Sequence, residues 1–90
     1  MSTIHLLIRG KVQGVFYRAT ANDIAKENGI TGWIKNTPAS DVEAVISGTK
    51  DQLEKFTEWC RQGPRRAQVS EVVITEIEEE DFAEFTVIRV

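Results

Sequence analysis

Ile4, Leu6 and Ile8 alternate with His5, Leu7 and Arg9. That period of two predicts a first strand with one strongly apolar face. Beyond a glycine-bounded stretch the period changes. Tyr17, Ala21, Ile24, Ala25 and Asn28 fall on one stripe, with Asp23, Lys26 and Glu27 facing away. This predicts an amphipathic helix over 16–28, and Gly29 suits the left-handed residue that ends a helix. Residues 30–36, with Trp33 as their bulky member, read as a second strand, and 42–47 as a third. Thr37-Pro38-Ala39-Ser40-Asp41 between them reads as a turn, because proline cannot donate to a ladder. The short connection makes the two strands a hairpin.

Thr49 and Gln52 have the spacing of a capping box at the start of a second helix. Leu53, Phe56 and Cys60 form its inner stripe, with Trp59 on the flank. Asp51 and Lys55 are placed to pair across one outer turn, worth ~0.3 kcal/mol. Gly63-Pro64 ends the helix. Residues 69–77 supply a fourth strand, and 85–90 a short final one after the acidic bend Glu78-Glu79-Glu80-Asp81. The order β-α-β-β-α-β predicts an α+β fold, a ferredoxin-like two-layer sandwich with two helices on one face of a mostly antiparallel sheet. Its parallel crossover is expected to be right-handed. The fold hosts enzymes, regulators and RNA binders, so it fixes no function.

Ninety residues bound the chain to one domain, 1–90. The net charge of −3 argues against a nucleic-acid partner, which needs cationic surface to displace phosphate counterions. It leaves room for one small anion in a local site. The single cysteine, Cys60, cannot form an internal disulfide, and no Cys/His cluster suggests a metal. The N-terminus reads as neither a signal peptide nor a spanning helix, so a cytoplasmic setting without a membrane partner is expected. No apolar interface stands out, which makes a monomer the expectation.

The candidate chemistry lies in Gly10-Lys11-Val12-Gln13-Gly14-Val15-Phe16-Tyr17-Arg18, between the first strand and the first helix. No Ser, Thr, Asp or Asn precedes Phe16 in the loop, so the helix has no side-chain cap and its first N–H groups lack partners. An anion would satisfy them, and the helix dipole would favour it. Gly14 lets backbone approach a ligand, and Arg18 adds fixed charge with two parallel donors. The competing reading is a tight turn with Arg18 merely solvated. The stretch is not a Walker loop, because the Gly-Lys-[Ser/Thr] ending is missing.

This stretch resembles the first signature of the acylphosphatase family, and Gly32-Trp33-Ile34-Lys35-Asn36-Thr37 resembles its second. The separation of eighteen positions from Arg18 to Asn36 fits the family spacing. Val42-Glu43 before Gly48, Gly63-Pro64 with Ala67, and Phe85 through Arg89 are also similar to family positions, so the resemblance spans essentially the whole chain. It implies hydrolysis of the carboxyl–phosphate bond of a small-molecule acyl phosphate, without metal, cofactor or covalent intermediate. It further implies that Val12, Gln13, Gly14, Val15, Phe16, Tyr17 and Arg18 form the phosphate-binding loop. Arg18 would bind the phosphoryl group, and Asn36 would position the attacking water. One departure stands out. The family usually has Asp-Gly in the hairpin turn, whereas this chain has Ala39-Ser40, so the unusual backbone conformation is expected at Asp41.

Two other functions compete with hydrolysis. A catalytically inactive phosphate-binding or interaction module would keep the fold and lose turnover. An RNA-binding sheet would need aromatics on the third strand, and Val42-Glu43-Ala44-Val45-Ile46-Ser47 has none. His5 fits a structural or surface role better than a catalytic one. Cys60 reads as a small core residue, and Trp33 and Trp59 as packing residues. The acidic run from Glu76 to Asp81 reads as a solvated bend, and Arg65-Arg66 is too small for a nucleic-acid patch.

Overall fold

The computed structural model describes residues 1–89. Its elements are β1 (Ser2–Lys11), α1 (Tyr17–Glu27), β2 (Thr31–Asn36), β3 (Val42–Gly48), α2 (Lys50–Gln62), β4 (Gln68–Ile77) and β5 (Phe85–Val87). One mixed five-stranded sheet has the order β4-β1-β3-β2-β5. β1 pairs antiparallel with both β3 and β4, and β2 antiparallel with β3.

The final strand is shorter than the predicted 85–90, and Val90 lies outside the described residues. It crosses to the far edge and runs parallel to β2, pairing Gly32 with Phe85 and Ile34 with Val87. Gly32 N donates to Glu84 O at 3.1 Å, and Ile88 N to Ile34 O at 2.8 Å, so pairing continues just beyond the strand ends.

Register explains the core. Leu6 faces Ala44 and Ile8 faces Val42 across the β1–β3 ladder. Ala44 also faces Ile34 on β2, a small residue between two large ones. Leu6, Ile8, Ile34, Ala44 and Ile46 are all fully buried. Full burial of one such aliphatic side chain contributes about 1.5–3 kcal/mol. α1 packs over β2 and β5, and α2 over β4, β3 and β1. Tyr17, Ala21 and Ala25 come in from α1, and Leu53, Phe56 and Cys60 from α2. Ile24 is half-buried, and Asn28 caps the end of α1 by donating its Nδ2 to Ile24 O at 2.8 Å.

The capping box of α2 is complete. Gln52 N donates to Thr49 Oγ1 at 3.2 Å, and Thr49 N donates to Gln52 Oε1 at 2.8 Å. The outer ion pair differs from expectation. Asp51 and Lys55 do not pair among the described residues, while Arg61 and Glu58 do at 3.8 Å. Both pairings lie on exposed helix surface, where little energy separates one from another.

Trp59 packs on Tyr17 and Phe56, with ring centroids 5.2 and 6.1 Å away. Trp33 instead lies half-exposed, with Lys35 Nζ 5.2 Å above its ring. Tyr17 Oη donates to Cys60 O at 2.7 Å. That carbonyl belongs to the last turn of α2, where helical acceptors run out. The bond therefore closes the end of α2 while tying the two helices together.

Burial, helped by the Cys60 neighbour, pushes the Tyr17 phenol well above its ordinary range, and burial pushes the Cys60 thiol up to about 12. A thiol this far from ionising is a packing group, not a nucleophile. Both groups fold in their neutral forms. Their contribution is therefore complete below the unfolded-state values of 9.0 and 10.0 and is lost as pH rises beyond them. Urea unfolding between pH 7 and 11 is expected to show stability falling from about pH 9 upward. Cys60→Ala should flatten the first part of that fall. A stability that held constant to pH 11 would contradict this.

Candidate functional site

Near its end β1 shifts register against β4 between Arg9 and Gly10, and pairing resumes with Gly10 opposite Val69 and Lys11 opposite Gln68. Gly10 has φ 128°, and a Cβ there would run into the Gln68 carbonyl, so only glycine fits the bend. Val12 and Val15 are then buried, pinning residues 12–15 to the core. Gly14 between them is exposed, with φ 73° and open space where a Cβ would stand. Phe16 is the N-cap of α1 in the left-handed region, φ 64°, with its side chain 73% exposed. The helix thus starts one residue later than the periodicity predicts. A bulky residue in that conformation is strained, and strain of this kind concentrates at functional sites.

α1 has no side-chain cap, as expected from its sequence. Its first intrahelical bond runs from Thr20 N to Phe16 O at 3.1 Å, and Thr20 Oγ1 donates to the same carbonyl at 2.9 Å. The N–H groups of Tyr17, Arg18 and Ala19 therefore have no intrahelical partner. They border a cavity of about 440 Å³ lined by Val12, Gly14, Phe16, Tyr17, Arg18, Ala19, Asn36 and Arg89. Arg18 is half-buried, with Nη1 3.4 Å from Ile88 O. Asn36 is the last residue of β2, and among the described residues its side chain makes no hydrogen bond. Arg18 and Asn36 thus meet at one cavity from separate elements. Gln13 and Val15 do not line it.

Gln13 has another part to play. Its Nε2 donates to Thr37 O at 3.0 Å and to Asp41 O at 2.8 Å. Both carbonyls belong to the β2–β3 turn that follows Asn36. The turn is closed by Ser40 N donating to Thr37 O at 3.2 Å and Thr37 N to Asp41 O at 2.9 Å. Asp41 N also donates to Thr37 Oγ1 at 3.2 Å. The left-handed residue is Ser40, with φ 71°, and not Asp41 as the sequence suggests. Thr37 captures both backbone groups of Asp41, which fixes it in the ladder and leaves the chain reversal to Ser40. Replacing Gln13 with Ala removes one of the two donors from each of these half-buried carbonyls and unties the loop from the turn. We expect a stability loss of about 1–2 kcal/mol in urea, with kcat falling more than KM because the mount of Asn36 loosens. Wild-type kcat in that variant would sink the coupling.

A second cavity, about 620 Å³, shares Arg18, Asn36 and Arg89 and adds Lys35, Thr37, Pro38 and Glu43. Three cations face one carboxylate there, in a chain whose net charge is −3. Glu43 Oε1 lies 3.7 Å from Lys35 Nζ, and its Oε2 is 2.7 Å from His5 Nε2. His5 therefore has a structural partner on the sheet. Arg89 is the site residue that motif spacing does not single out as functional. Its position depends on β5 running parallel to β2, which nothing in its local sequence announces.

These features define a class: a ferredoxin-like α+β sandwich with a cavity at the uncapped start of its first helix, bordered by Arg18 from that helix and Asn36 from β2. Residues 4–87 match the acylphosphatase family model, and the chain belongs to that family. It is 51% identical over 73 residues to an acylphosphatase of Marinobacter nauticus, covering 81% of this chain and 79% of the relative. It is 41% identical over 90 residues to an acylphosphatase of Methylococcus capsulatus, covering 99% and 98%. The structure of an acylphosphatase from Coxiella burnetii superposes with a TM-score of 0.93 at 44% identity, over 97% of this chain and 92% of that one. Among the described residues, no helix is long and apolar enough to cross a membrane.

Proposed function

We propose that this acylphosphatase-family enzyme hydrolyses small acyl phosphates to a carboxylate and inorganic phosphate, with Arg18 and the loop holding the phosphoryl group and Asn36 placing the water. The observation that carries this reading is the meeting of Arg18, Asn36 and the unpaired first turn of α1 at one cavity. The substrate is a mixed anhydride whose leaving group has a pKa near that of a Glu side chain, roughly 4. It departs as an anion at neutral pH and needs no general acid. Phosphoryl transfer then rests on positioning and on stabilising charge over the phosphoryl oxygens. Backbone N–H groups and one guanidinium supply that stabilisation.

An amide is not a base at pH 7, so Asn36 orients water through its carbonyl oxygen, and a phosphate oxygen of the substrate takes the proton. Buried Cys60 takes no part. The reading includes a cytoplasmic monomer, since the described chain offers one self-sufficient core and a site built from one copy.

Acetyl phosphate or benzoyl phosphate, offered with and without EDTA, tests the proposal. Turnover that EDTA leaves unchanged is expected, with a pH–rate profile following ionisation of the substrate phosphate. Complete inactivity would favour the inactive binding module, and loss of activity in EDTA would contradict metal-free hydrolysis.

A further inference from the structure

The loop-side cavity brings Arg18 and Asn36 to the uncapped first turn of α1, which suits a group common to every acyl phosphate. The second cavity is different. Lys35, Thr37, Glu43 and Arg89 line it with side chains, and side chains can discriminate. Arg89 borders both cavities, so an acyl group leaving the cradle past Arg89 enters the second. We infer that this second cavity is a subsite for the acyl tail, and that it selects acyl phosphates whose tail carries a carboxylate.

The inference rests on the hydrolase reading above and adds a substrate class to it. Three side chains supply the recognition. Lys35 Nζ is held between Glu43, 3.7 Å away, and the Trp33 ring, 5.2 Å from its centroid, so it is already placed at the cavity wall. Thr37 Oγ1 accepts from Asp41 N, which leaves its O–H free to donate to a carboxylate. Arg89 adds a guanidinium fork suited to bidentate pairing. The chain as a whole carries −3 and would repel a second negative charge, so a preference for an anionic tail has to arise locally.

The test compares 4-carboxybenzoyl phosphate with 4-methylbenzoyl phosphate, two rigid substrates of similar shape. Each rate is corrected for uncatalysed hydrolysis. At low ionic strength kcat/KM is expected to favour the carboxylate by about tenfold, and the ratio should fall as salt is added. Lys35→Gln and Arg89→Gln are each expected to cut the ratio about threefold to fivefold. Arg89 is exposed and the Lys35 side chain is 38% exposed, so neither variant opens the core. Arg65→Gln removes a cation outside both cavities and should leave the ratio alone. A wild-type ratio at or below one, or a ratio that all three variants leave unchanged or lower equally, overturns the subsite while the hydrolase reading stands. Failure to turn over either substrate overturns both.

Discussion

Replacing Arg18 with Ala is expected to lower kcat/KM for acetyl phosphate by ~10²–10³-fold, the usual cost of one positioned donor to developing charge. Arg18 is the cation nearest the first turn of α1, and nothing else in the loop-side cavity except Arg89 carries positive charge. Its one recorded hydrogen bond is long, 3.4 Å to Ile88 O. Stability should therefore move by no more than about 0.5 kcal/mol in urea, which separates lost chemistry from lost fold. Arg18→Lys keeps the charge and loses the fork, so only partial recovery is expected. Steady-state kinetics on the folded variants decides the matter. An Arg18→Ala enzyme with wild-type kcat/KM would remove Arg18 from the account.

The second large effect is expected at Asn36, and its signature is different. Asn36→Ala should lower kcat by ~10²–10³-fold and leave competitive inhibition by inorganic phosphate nearly unchanged. On the proposed roles, water placement by Asn36 acts in the transition state, while binding of the phosphoryl group falls to the loop and Arg18. Asn36→Asp should be as poor, because it sets a carboxylate against a phosphate dianion. Neither change removes a recorded side-chain hydrogen bond of the described chain, so both variants should fold. An Asn36→Ala enzyme that kept kcat and lost only affinity would reassign the residue from water to substrate.

What could be read from the sequence was what local patterns encode. The alternation of Ile4, Leu6 and Ile8 anticipates the core-facing side of β1, where Leu6 and Ile8 are fully buried and Ile4 packs against the core. Thr49 and Gln52 anticipate a complete capping box because both bonds close within four residues. The missing cap at Phe16 was equally legible, being a matter of which residue types are absent.

Features set by distant chain were not legible. β5 has three residues, too few for periodicity to show that it joins the far edge in parallel. Arg89 reaches the site only through that crossing, so motif spacing could not mark it as a site residue. The left-handed residue fell on Ser40 because Thr37 holds Asp41 from both sides, although aspartate is the better intrinsic candidate. Gln13 was legible as part of the loop through its signature. That its side chain braces the hairpin carrying Asn36 needed the turn carbonyls to be placed.

The two signatures therefore meet twice. They meet across the cavity, where Arg18 and Asn36 face a common space, and behind it, where Gln13 fastens one to the other. This brace ties the loop that carries Arg18 to the hairpin that carries Asn36.

The central claim is that the enzyme delivers water to phosphorus. Hydrolysis of benzoyl phosphate in ¹⁸O-labelled water tests it most directly. The label is expected in inorganic phosphate, with the benzoate unlabelled. Label in the benzoate would mean attack at the carbonyl carbon, and it would contradict the roles assigned to Arg18 and Asn36 together.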